Sequence, residues 1–131
     1  MTKTRRLIGW ILFGVAVLFL TFDSVGKLLQ LPEVVEGTTA LGYPASVIVP
    51  LGIIQFTCLL LLLVPRTSLI GAVLLTGYLG GAIATHVRIG NPLFTHVLFP
   101  TYVAALMWGG LYLLDSRLRL LMGPRPQGSH R

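Results

Sequence analysis

Residues 68–86 read SLIGAVLLTGYLGGAIATH, a run of nineteen positions without one Asp, Glu, Lys or Arg. A helix rises about 1.5 Å per residue, so this run covers close to the roughly 30 Å hydrocarbon layer of a bilayer. Its small residues recur every fourth position, with Ala72, Thr76, Gly80 and Ala84 on one stripe and Gly77, Gly81 and Thr85 on the next. Spanning helices have no hydrophobic force between them and associate through close backbone approach, which small residues at this spacing allow. Gly77, Gly80, Gly81 and Ala84 are therefore the expected helix-packing positions. The helix that carries them is the expected centre of the bundle.

Outward from this run, three more apolar blocks give predicted spans at about 7–29, 45–64 and 94–114. The chain has 131 residues, 54% hydrophobic and 11% charged. A soluble domain carries about 25% charged residues to keep its surface in water. The pattern predicts an all-α, integral membrane four-helix bundle, a single transmembrane domain over 1–131 ending in a basic cytoplasmic tail at 115–131. Pro65-Arg66-Thr67 is short enough to make its flanking helices antiparallel neighbours. Between the first two spans, Pro32 ahead of Glu33 and Glu36 opens a short helix at about 33–41. That helix is expected to lie at the membrane surface. The basic residues before the first span are not followed by a small-x-small cleavage site but by Phe22, Asp23 and Lys27, so the segment is expected to stay.

The net charge of +6 does not form one stripe, which argues against nucleic acid. Its residues flank the spans instead. Lys3, Arg5, Arg6, Arg66, Arg117, Arg119, Arg125 and Arg131 fall on one side, and only Lys27 and Arg88 on the other. Positive-inside bias then puts both termini in the cytoplasm, with Trp10, Trp108 and Tyr112 at the inner interface. The expected location is multi-pass in a bacterial inner (plasma) membrane. Cys58 is the lone cysteine, which excludes an internal disulfide and dithiol chemistry.

Charged and polar groups in spans are costly and mark candidate sites. Asp23 and Lys27 are four apart on one helix face, about 24 Å above Leu7. His86 lies about 28 Å above Thr67, and His96 starts the descending helix at the same level. Asp23, Lys27, His86, Arg88 and His96 are thus expected at one outer mouth, with Gln55 and Tyr78 deeper. The plainer role for this set is capping helices and anchoring loops. The sharper one is a polar mouth over an apolar cavity suited to a quinone-like or lipid-like ligand. Two histidines and one aspartate are too few for a metal site, and nothing in the spacing requires haem.

The helix-three run with Thr85-His86-Val87-Arg88-Ile89-Gly90-Asn91-Pro92, together with Phe22-Asp23, Lys27-Leu28, Leu41-Gly42-Tyr43-Pro44, Pro50-Leu51-Gly52 and Asp115-Ser116-Arg117-Leu118, resembles the DoxX-like family of small four-helix membrane proteins. The resemblance runs from about Arg6 to Arg119. It implies a four-helix membrane fold and, since the namesake is similar to a small subunit of a thiosulfate:quinone oxidoreductase, an accessory or anchoring subunit for a redox system. At Gln55 the chain departs from the family pattern, where an acid is common; an amide hydrogen-bonds a ligand but does not titrate. The expected partners are the lipid bilayer, a redox enzyme and a second copy of the chain, with no nucleic acid. No cofactor is required, quinone or lipid being the candidate ligand. The alternative is a non-catalytic scaffold or assembly factor acting through helix packing. No dithiol, no nucleophile with its base and no metal quartet is in the sequence to support an activity of its own.

Overall fold

The computed structural model of the protein describes residues 2–122 and is helical almost throughout. Helix α1 (Lys3–Leu28) is followed by a short α2 (Pro32–Ala40), a 3₁₀ turn (Ala45–Val47) running into α3 (Ile48–Leu63), then α4 (Ser68–Arg88), a π turn (Leu93–Val97), α5 (Phe99–Leu114) and a short α6 (Ser116–Met122). Four of these segments are long and apolar enough to cross a membrane: Lys3–Leu28, Ala45–Leu63, Ser68–Arg88 and Leu93–Leu114.

Local chemistry sets the breaks. Thr2 caps α1 by accepting from the Arg5 amide. α1 ends where Gln30 takes a left-handed φ of 53°, and the Leu31 amide reaches back to the Gly26 carbonyl. Pro32 then occupies the first turn of α2, where its missing N–H is no loss. α4 closes in the same way around Gly90, at φ 75°, with Asn91 donating to the His86 carbonyl. The fourth span is not one continuous helix. Pro100 has no N–H for the preceding turn, so the chain passes through the π turn before α5 begins, and the Tyr102 hydroxyl donates to the Phe94 carbonyl at 2.8 Å.

α1 and α4 stand diagonally, each packed against both α3 and α5. All four contribute to the core, among them Ala16 and Leu20, Leu59 and Leu62, Ala72 and Leu75, and Met107 and Leu111. Most of the apolar surface faces outward instead: Leu18, Phe22, Ile70 and Val73 are all exposed. A bundle that turns such residues outward while pairing its backbone internally is built for lipid.

The expected central role of α4 is corrected here. A Cβ built at Gly77, Gly80 or Gly81 meets nothing within 4 Å, and Ala84 is exposed. Among the described residues, the three glycines make no close helix–helix contact. Close approach is made elsewhere, by Gly71 of α4 against the Leu61–Leu62 backbone, and by Gly9 and Gly110 between α1 and α5. A Cβ at Gly110 would lie 2.6 Å from the Phe13 nitrogen and 2.9 Å from the Gly9 oxygen. Small-residue spacing reports that helices can approach, but which stripe does so depends on the rotation of the helix in the bundle.

At the end that carries the α3–α4 turn, Arg117 donates to the carbonyls of Pro65 and Arg66 and pairs with Asp115, which also faces Ser68. Among the described basic residues, Lys3, Arg5, Arg6, Arg66, Arg117 and Arg119 lie at this end, and Lys27 and Arg88 at the other. Arg125 and Arg131, counted with the first group in the sequence, lie outside the described residues.

Candidate functional site

A cavity of about 780 Å³ opens in the half of the bundle that holds α2 and the α4–α5 connection. That volume lies within the roughly 300–1,000 Å³ typical of small-molecule sites. Its walls come from α1, α3, α4 and α5, with α2 and the Tyr43 turn along one side. Phe19, Phe22, Leu51, Leu79 and Phe99 give it an apolar lining, and Gly77 and Gly81 add no side chains to its α4 wall. The glycine stripe that does not pack helices therefore helps make room for the cavity.

Two polar groups sit in these walls. The first is centred on Lys27, a buried side chain that reaches back one helical turn to pair with Asp23 and donates to Gln55 Oε1 at 3.1 Å. Its ammonium lies 5.6 Å from the centre of the Tyr78 ring, within cation–π range. Lysine can do this because its long apolar stem follows the helix while the charged head finds partners. Gln55 is 1% exposed, and its Nε2 has no hydrogen-bond partner among the described residues.

The second group is centred on His86. Its Nδ1 lies 2.7 Å from the Asn91 side-chain amide, within hydrogen-bond distance. The His96 ring stands edge-on to it, with centroids 5.9 Å apart. Nearby, the Tyr43 hydroxyl and Thr85 Oγ1 are 2.8 Å apart and tie the turn after α2 to α4.

The structure thus brings Asp23, Lys27, Gln55, Tyr78, His86 and His96 to one cavity, in two groups where the sequence suggested one level with a deeper pair. Arg88 is not among the lining residues. It points to the Leu41 carbonyl at 3.4 Å and fastens the connection after α2 instead. Glu33, Thr38, Tyr43, Thr85 and Asn91 also line the cavity and were not among the candidate site residues of the sequence. Gly90-Asn91-Pro92 was the available signal for Asn91, because a glycine stop at a helix end folds the next residue back onto the last turn. Among the described residues, no three His, Cys, Asp or Glu side chains gather as metal ligands.

A family model, described as the DoxX-like family, matches residues 11–110. The chain belongs to the DoxX-like family. The matched stretch runs from α1 into the latter part of α5 and takes in both polar groups of the cavity. No curated protein and no solved structure matches the chain. As a DoxX-like protein with four apolar helices, it is an integral, multi-pass membrane protein whose surroundings are the lipid bilayer.

Proposed function

We propose that this DoxX-like protein is an accessory or anchoring subunit of a membrane redox system and holds a quinone or lipid in its cavity. The observation that carries the reading is the cavity itself: large, apolar over most of its lining and polar at two places. Phe22, on the cavity wall, is also exposed on the outer surface of α1, which suits entry of an amphiphile from the bilayer. The cavity faces the outer side of a bacterial inner membrane when both termini are cytoplasmic, an orientation supported by the excess of basic residues at the opposite end. In the same orientation α2 lies at the outer membrane surface. A cytoplasm-active reporter fused after Arg131 should be functional; one that works only when exported would reverse the orientation.

The test of the ligand reading is extraction of the protein in mild detergent, followed by mass spectrometry of co-purifying quinone and lipid. Gly81→Phe places a ring where the cavity is open and nothing stands within 4 Å of the Cβ. It should abolish co-purification while the helical signal and melting temperature are kept. Equal ligand content in wild type and variant would count against the cavity as the site.

The scaffold reading has one observation in its favour. Gly80 and Ala84 are exposed on α4, and among the described residues nothing stands within 4 Å of a Cβ at Gly80, so another helix could approach them. Gly80→Leu would then release a co-purifying partner protein and leave bound ligand unchanged.

A further inference from the structure

The chemistry of the buried polar group limits what the cavity can hold. Lys27 and Asp23 neutralise each other within the protein, so that wall asks for no charge from a ligand. Gln55 is oriented by the same lysine. An ammonium has only donors, so the amide must turn its oxygen to Lys27 Nζ, as it does at 3.1 Å, and its NH₂ the other way. That NH₂ is sealed from solvent and has no partner. A buried donor without an acceptor is unfavourable enough to require explanation, and reversing the amide would set two donors against each other. Gln55 is a lining residue of the cavity, so a shift of its side chain toward that space is what brings the NH₂ to an acceptor.

We infer that the cavity's occupant is a neutral, largely apolar molecule that presents a hydrogen-bond acceptor, a carbonyl oxygen, to the Gln55 side-chain amide. The inference rests on the cavity being a ligand site and adds the class of ligand. A charged head would find no free countercharge beside Gln55, where Lys27 is already paired with Asp23 and the other lining carboxylate, Glu33, is exposed on α2; a hydrocarbon would leave the amide without an acceptor. An ionised carboxylate at position 55 would present acceptors only, so the amide is what suits this chain to a carbonyl.

The experiment uses the full-length protein in mild detergent with two probes of the same ring and chain, 2-decyl-1,4-naphthoquinone and 2-decylnaphthalene. Calorimetric titration of wild type and Gln55→Met gives the ratio of the two affinities in each protein; comparing the ratios cancels partition into micelles. The wild-type preference for the quinone should exceed that of the variant about tenfold, the usual range for one buried hydrogen bond. Gln55→Leu serves as a second variant. Independently, the infrared carbonyl stretch of the quinone bound to wild type should move to lower frequency than in detergent alone. If the probes bind but the ratios agree, or the band does not move, the carbonyl assignment is overturned and the cavity reading stands. If neither probe binds to wild type and no quinone or lipid co-purifies, both fall together.

Discussion

The Asp23–Lys27–Gln55 group should behave as one energetic unit. Lys27→Met keeps the length of the stem but leaves the Asp23 carboxylate and the Gln55 oxygen without their donor. Breaking a fully buried pair by removing one partner costs about 3–5 kcal/mol. The Asp23 side chain is 29% exposed and recovers part of its solvation, which lowers the expected cost of Lys27→Met to about 2–3 kcal/mol. Asp23→Asn strips the countercharge from the more deeply buried partner, 9% exposed, and should cost about 3–4 kcal/mol. The double variant removes both charges together, and replacing a buried pair by neutral groups is often close to neutral, so its cost should stay near 1–2 kcal/mol, about 3 kcal/mol or more below the sum of the singles. Reversible unfolding in mixed micelles, followed by circular dichroism and by the fluorescence of Trp10 and Trp108, measures all three. Additivity within about 0.5 kcal/mol would refute the claim that these side chains form a coupled group.

Two further outcomes test other parts of the structure. Gly110→Ala puts a methyl group into the Phe13 and Gly9 backbone and should destabilise by about 1–3 kcal/mol, whereas Gly81→Ala meets open space and should be neutral or stabilise by up to about 1 kcal/mol; the reverse order in the same unfolding assay would restore the α4 glycines as packing positions. Asp115 lies outside the spans, and hydrogen bonds from Arg117 hold its carboxyl below the ordinary aspartate value of 3.8. A depressed carboxylate contributes stability above its unfolded value and loses it as pH falls through the folded one, so stability should decline on acidification below about pH 4, and Asp115→Asn should flatten that part of the profile.

The same glycines show how far sequence could be read. The absence of charge from 68–86 was enough to assign a span, because burying an unpaired charge in hydrocarbon is costly wherever the helix points. Pro32 likewise marked the start of a helix that the structure contains, since it acts on its own local backbone, whereas the break at Pro100 inside the fourth span was not read. The facing of the stripe Gly77, Gly80, Gly81 was not legible. Lipid and neighbouring helices are equally apolar, so a small-residue face does not reveal which of them, or a cavity, it meets.

The polar residues divide along the same line. That Asp23 could pair with Lys27 follows from a four-residue step on one helix, a local relation that the sequence by itself determined, as it did the four spans, their short antiparallel turn and the family. That the same lysine would reach Gln55 across 28 residues, that Tyr78 would stand beside it, that His86 would take Asn91 and His96 as partners, and that Arg88 would leave the site for the Leu41 carbonyl were decided only by the tertiary structure. The physical reason is that spacing along a helix gives each side chain's height and direction relative to its own axis. The rotation of that axis against three others is chosen by how the whole bundle packs.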